Sequence, residues 1–234
     1  MGKVIAIDGP GGAGKSTVSR IVGERLGFLH VDSGALYRIV TWQCLERGVD
    51  TGDPAAIAKA AEEISIEARP EAGRVAFFVD GEAPGDRIRT PQIDENASKV
   101  AREKPVRDKV TAMLRSLAAL GDIVVEGRDI TTAVFPDSPA RFYLTASAEA
   151  RAERRRRQEA GKGIAGRTRE EVKAALAARD AMDSSRKYAP LRKADGAVEI
   201  DSSDLTLEET VEALLAALPA EYGAARAAGG RTGA

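Results

Sequence analysis

The chain has 234 residues, 43% of them hydrophobic and 30% charged, with a formal net charge of −1. That size suits one α/β domain with insertions, or two small domains, around a substantial core. No apolar run reaches the ~20 residues that cross a bilayer, the N-terminus lacks the features of a secretion signal, and the near-zero charge argues against a nucleic-acid-binding surface.

Residues 3–8, KVIAID, read as a short buried strand, and residues 15–26 as an amphipathic helix that stops near Gly27. Between them lies the glycine-rich stretch GPGGAGKST, residues 9–17. FLHVD is predicted to be a second strand and residues 35–47 a second helix, an alternation that implies a parallel sheet. A helix over 54–63 is followed by ISIEA and RVAFFVDGEAP, whose turn signals predict a small hairpin or meander inserted into the alternation. Helices over 91–103 and 105–119, the strands DIVVEGRD and ARFYLTA, and a helix over 148–159 come next. A glycine-rich stretch to residue 166, a helix over 168–182, the strand AVEID and a helix over 206–217 complete the pattern. Residues 219–234, ending GAARAAGGRTGA, are expected to be frayed.

The lone cysteine, Cys44, rules out an intrachain disulfide and a cysteine-based zinc site, and fits a reducing cytoplasm. Cys44 and the single histidine, His30, both read as packed side chains without a chemical role. The basic residues are skewed toward arginine, 25 against 10 lysines. A guanidinium is a planar fork that matches phosphate with two hydrogen bonds, so the bias is compatible with phosphate handling.

Gly9, Gly14, Lys15 and Ser16 satisfy GxxxxGK[ST] between a strand and a helix, where a phosphate loop must sit. Successive backbone N–H groups of such a loop wrap phosphate, and the following helix adds its positive end. Gly9, Pro10, Gly11, Gly12, Ala13, Gly14, Lys15, Ser16 and Thr17 are therefore expected to hold the phosphates of a nucleoside triphosphate. Lys15 should reach the β- and γ-phosphates, and the Ser16 hydroxyl should ligate Mg²⁺. The loop alone leaves open a guanine-nucleotide switch, a motor, a transporter subunit and a small-molecule kinase. A guanine switch should carry NKxD, whereas the only asparagine, Asn96, is followed by Ala-Ser-Lys.

DSGALYR places Asp32, Ser33, Tyr37 and Arg38 after the second strand, and EGRD places Arg128 and Asp129 after another, at the strand ends where open α/β sheets bind ligands. In RDAMDSSRKYAPL, Arg179, Asp183 and Arg186 share one helical face if the helix continues that far. The order GPGGAGKST, DSGALYR, IRT, EGRD with VFPD, and RDAMDSSRKYAPL resembles the bacterial cytidylate kinases over most of residues 3–201.

That resemblance implies ATP-dependent phosphorylation of CMP and dCMP by a cytoplasmic enzyme, expected to be a monomer acting without nucleic acid or membrane. It implies the P-loop nucleoside monophosphate kinase fold: a parallel five-stranded sheet flanked by helices, a small β-containing insert and a mobile lid. The matching boundaries are a core at 1–61 and 105–218, the insert at 62–104, a lid segment at 151–167 and a flexible tail at 219–234. By position, Ser33, Ser98, Arg107, Asp129 and Arg186 resemble the group that reads cytosine. Arg38 and Arg128 resemble the holders of the CMP phosphate, and Arg179 and Asp183 the ribose contacts. Lys15, Arg128 and the lid residues Arg151, Arg154 and Arg155 are expected to be catalytic, whereas Arg156 and Arg157 read as solvated. Thr131 stands where the family commonly has glycine, and a side chain there is expected to narrow the pocket.

Overall fold

The structure, a computed structural model, describes residues 2–161 and 166–223. β1 (Val4–Asp8) is buried along its whole length and lies in the interior of the sheet. It leads through the glycine loop into α1 (Lys15–Leu26). β2 (Leu29–Asp32) and α2 (Ser33–Glu46) repeat the unit, with the Asp32 side chain accepting from Ala35 N at 3.2 Å to cap α2. α3 (Pro54–Glu63) precedes a hairpin of β3 (Glu67–Glu71) and β4 (Arg74–Phe78). Its turn is Ala72-Gly73, with φ of 44° and 77°, the left-handed pair that joins two antiparallel strands without splaying them.

α4 (Pro91–Ala101), α5 (Lys104–Ser116), β5 (Ile123–Gly127), β6 (Ala140–Thr145), α6 (Ala148–Ala160), α7 (Arg169–Ser184), β7 (Val198–Asp201) and α8 (Leu207–Ala216) follow.

Seven strands, not the expected five, form one sheet in the order β3-β4-β2-β5-β1-β6-β7. β2, β5, β1, β6 and β7 run parallel, as the strand and helix alternation requires. The two further strands are the hairpin. β4 joins the open edge of β2 at His30 and Arg74, and His30 N donates to Gly73 O at 3.0 Å. An uncovered strand edge offers unpaired backbone groups, and the hairpin satisfies them here. β3 then becomes the outer strand, where Pro70 removes a donor the ladder does not need.

Alternation along β1 divides the core between the two faces of the sheet. Val4 and Ala6 pack with Leu36, Ile39, Ile57, Val106, Leu114 and Ile130 on one side. Ile5 and Ile7 pack with Val22, Phe28, Phe142, Leu144 and Leu214 on the other. Each aliphatic side chain so buried contributes about 1.5–3 kcal/mol.

The beginning of the expected flexible tail is instead docked. α9 (Ala220–Gly223) buries Tyr222, whose hydroxyl donates to Val4 O at 3.1 Å and whose ring stands 6.2 Å from that of Phe28. The apolar ring, and a Val4 carbonyl that also accepts from Ser138 Oγ at 2.6 Å, explain the docking. Residues 224–234 of that tail, and residues 162–165 of the expected lid segment, lie outside the described residues. No helix among the described residues is long and apolar enough to cross a membrane.

Candidate active site

The glycine loop leaves the carboxyl end of β1 and meets α1 at Gly14, whose φ of 95° turns the chain into the helix. Gly9 has φ of 150°, and a Cβ there would stand 1.9 Å from Leu144 O, so β6 excludes every side chain. Lys15 is buried, and its Nζ donates to Gly9 O at 2.8 Å and Pro10 O at 2.9 Å. Burial, and next the charge of Arg128, lower its ammonium to about 7. The Ser16 hydroxyl donates to Glu126 Oε1 at 2.5 Å, which places a buried carboxylate from the end of β5 beside the loop.

Other residues grip the loop's backbone. Gly11 N donates to Asp180 Oδ1 at 2.9 Å, and Arg151 pairs with Asp180 Oδ2 while donating to Gly11 O at 3.0 Å. Arg154 donates to Ala13 O at 3.3 Å and Ser202 Oγ at 2.9 Å. Thr17 N donates to Gly14 O at 3.1 Å in the first turn of α1. On α6, Arg151, Arg154 and Arg155 point inward, while Arg156 and Arg157 turn outward to Glu153 at 3.4 and 2.9 Å.

A second cluster adjoins the loop on the side of β2 and β5. Arg128 connects the two. Its Nη2 stands 3.8 Å from where a Cβ on Gly11 would lie, and its Nε donates to Asp183 Oδ2 at 3.2 Å. Beyond it, Arg107 and Asp129 form a buried ion pair with side chains 5% and 4% exposed, and Arg107 Nη1 also donates to Ala101 O at 3.0 Å. Tyr37 lies 5.5 Å from the Arg107 guanidinium, and its hydroxyl is buried without a hydrogen-bond partner among the described residues. Ser33 Oγ donates to Glu126 O at 2.6 Å, and Ser98 is buried on α4.

α7 ends at Ser184, so Arg186 does not share a helical face with Arg179 and Asp183 as expected. The chain turns at Ser185, yet Arg186 folds back. Its Nε donates to Asp183 O at 3.1 Å, and Nη1 stands 3.8 Å from Asp183 Oδ1.

Arg38, Arg155 and Arg179 converge on Asp94 of α4. Arg179 is lowered to about 10 by burial and then by its neighbours Arg128 and Arg38. Guanidinium groups held this close repel one another, and the arrangement is stabilised by an anion between them.

The loop carrying Arg128 and Asp129 is anchored from below. Ile130 and Thr131 form part of a single π-helical turn, Ile130–Val134. Their N–H groups donate to the two oxygens of Asp8 at 2.8 and 2.7 Å. Thr131 Oγ1 adds a third bond to Asp8 at 2.6 Å. Thr131 therefore does not narrow the pocket as expected; it is fully buried and turned toward β1, because a buried carboxylate with a free lone pair lies there. Burial raises the Asp8 carboxyl to about 6 in spite of these donors.

Glu126, Asp94 and Asp180 were not singled out by sequence reasoning. Glu126 stands in EGRD at a buried strand end, a signal that was readable. Asp94 and Asp180 meet their partners across 56 and 169 residues of chain, and no local pattern marks them.

The described residues thus bring together a glycine loop and an arginine cluster that share Arg128 and end in a buried carboxylate and guanidinium pair. Comparison with known proteins agrees. The family model for cytidylate kinase matches residues 5–220. A cytidylate kinase of Streptomyces griseus is 45% identical over 214 residues, covering 91% of this chain and 90% of that one. One from Streptomyces avermitilis is 44% identical over 91% and 90% of the two chains. One from Bacillus thuringiensis is 37% identical over 90% and 93%. A match of that extent means that this protein belongs to the cytidylate kinase family.

Proposed function

We infer that the chain is a (d)CMP kinase, transferring the terminal phosphoryl group of ATP to a phosphate oxygen of CMP or dCMP to give ADP and CDP or dCDP. The observation that carries this reading is Arg128, which borders the phosphate loop at Gly11 and reaches the acceptor cluster through Asp183. The acceptor phosphate is ionised at neutral pH, so it attacks without a general base. Catalysis then rests on alignment and charge neutralisation. Lys15 and Arg128 sit where the transferring group passes, and Arg151, Arg154 and Arg155 approach from α6. The N–H groups of residues 9–17 receive the ATP phosphates.

Ser16 and Glu126 together present hydroxyl and carboxylate oxygens, the donors a hard cation prefers, so the loop fits Mg²⁺ held by Ser16 with Glu126 behind it. When bound, the ion neutralises charge on the β- and γ-phosphate oxygens.

Specificity for cytosine follows from the buried pair. Cytosine offers an amine donor at N4 and acceptors at N3 and O2. Asp129 accepts from the amine, while Arg107, Arg186, Ser33 and Ser98 supply donors. Arg38 and Arg128 hold the CMP phosphate, and Arg179 and Asp183 the ribose. Uracil inverts two of the three groups, and a buried site left with unpaired polar atoms rejects the wrong base by about 10⁴-fold. A core at 1–61 and 105–218, an insert at 62–104 over the acceptor, and a lid at 151–167 belong to the same reading. So do free nucleotides as substrates, a monomeric state and a cytoplasmic location, supported by the near-neutral charge and lone cysteine.

Assaying ADP release with ATP and CMP, dCMP, UMP, AMP or shikimate tests this. CMP and dCMP should be preferred; a preference for any other acceptor overturns the assignment.

A further inference from the structure

The arginine set around Asp94 holds more positive charge than Asp94 can offset. Arg38 Nη2 donates to Asp94 Oδ1 at 2.9 Å, Arg155 Nη2 to Oδ2 at 3.2 Å, and Arg179 Nη1 stands 3.9 Å from Oδ1. These guanidinium groups come from α2, α6 and α7, while Asp94 comes from α4. Two carboxylates face these three cations, because Arg155 Nε also donates to Glu159 Oε1 at 3.0 Å. Nε of Arg38 and Nε of Arg179 are buried without a partner among the described residues. The surplus positive charge and the two spare donors match a phosphate monoester dianion, which carries nearly two negative charges and three acceptor oxygens. The Asp94 side chain is itself only 29% exposed. Burial would raise its carboxyl, but Arg38, Arg179 and Arg155 outweigh that effect and hold it below the usual carboxylate range.

We propose that Asp94 is a positioning residue for the acceptor: an internal counter-ion that gathers Arg38, Arg155 and Arg179 and yields Arg38 to the phosphate of the incoming nucleotide. Two anions compete for Arg38, so Asp94 lowers the apparent affinity for the acceptor's phosphate; its one link to the sugar site is the 3.9 Å approach of Arg179, too long for a hydrogen bond. The inference rests on Arg38 receiving the acceptor phosphate.

Asp94→Asn removes the competing charge and keeps the shape. Its KM for CMP should fall about tenfold at low salt, an order of magnitude set by ~1.4 kcal/mol of competition spread over three partly shielded pairs. The inhibition constant of inorganic phosphate against CMP should fall in parallel. The dissociation constant of cytidine, which has no phosphate, should stay within about twofold, and kcat should change less than KM. Asp94→Glu, which restores the charge, should return KM toward wild type. An unchanged or raised KM in Asp94→Asn, or equal shifts for cytidine and CMP, overturns the proposal. Should Asp94→Asn be unfolded by circular dichroism, Asp94→Ser takes its place with the same expected outcome. Loss of fold in both contradicts the counter-ion role by making Asp94 structural. Failure of the wild type to phosphorylate CMP would instead overturn the acceptor reading itself.

Discussion

Raising the pH from 6 to 8 should change the proton stoichiometry of ATP binding through one side chain. Lys15 is buried among the loop carbonyls of Gly9 and Pro10, and burial followed by repulsion from Arg128 brings its ammonium from 10.5 down to about 7, against the opposite pull of Glu126, Asp8 and Asp180. A group titrating there is about nine-tenths charged at pH 6 and about one-tenth charged at pH 8. Phosphates beside the amine favour its charged form and return it toward the ordinary lysine range. Each ATP bound at pH 8 should therefore take up about 0.9 proton through Lys15, against about 0.1 at pH 6. The affinity should weaken by nearly tenfold per pH unit above 7, or about 1.4 kcal/mol.

Calorimetric titration in two buffers of unequal ionisation enthalpy measures the uptake. Lys15→Arg, charged throughout, serves as the reference and cancels protons carried by ATP itself. A difference below about 0.2 proton at pH 8 would refute the reasoning, since it would mean that Lys15 is already charged in the free enzyme. The sign for folding is fixed as well. Between about pH 7 and 10.5 the unfolded chain binds the extra proton, so the Lys15 contribution to stability rises with pH across that window.

Other outcomes follow from buried polar groups. Thr131→Val keeps the volume but removes the hydroxyl bond to Asp8, a bond to a charged acceptor that contributes about 1.5–3 kcal/mol. Because Asp8 titrates at about 6 and the hydroxyl favours its ionised form, the loss seen in urea denaturation should be larger at pH 7.5 than at pH 5; a loss independent of pH would contradict that coupling. Tyr37→Phe removes a buried hydroxyl with no partner among the described residues, so thermal unfolding should be unchanged or rise by up to about 1 kcal/mol equivalent. A fall of more than about 2 kcal/mol would show that the hydroxyl is bonded after all.

Local chemistry made much of the fold and the loop legible. Glycines at 9 and 14, a lysine at 15 and apolar runs on either side leave few alternatives to strand, turn and helix, because only a side-chain-free backbone passes Leu144 and turns into α1. The parallel centre of the sheet followed from the alternation of strands and helices. The edge did not. Whether a hairpin stands apart or extends a sheet depends on which strand edge it meets, and the pairing of His30 with Arg74 leaves no mark on either segment.

The same limit applied to the site. Spacing put Arg179, Asp183 and Arg186 on one helical face, and only the resemblance gave them roles; the end of α7 at Ser184 takes Arg186 off the helix. Thr131, standing where the resembled family commonly has glycine, reads as an obstruction; its partner, Asp8, is 123 residues away. Asp94 and Asp180 are acidic side chains on helices, indistinguishable in sequence from solvated ones until the arginines around them are placed.

The central claim is that the buried Asp129 and Arg107 pair reads the base while the glycine loop binds the donor independently. Measuring kcat/KM for CMP and the dissociation constant of ATP in Asp129→Ala tests it most directly. The expected outcome is a loss of more than about 10³-fold in kcat/KM, with ATP affinity within about threefold of wild type as the control for folding. Undiminished kcat/KM for CMP in a variant that still binds ATP would contradict it.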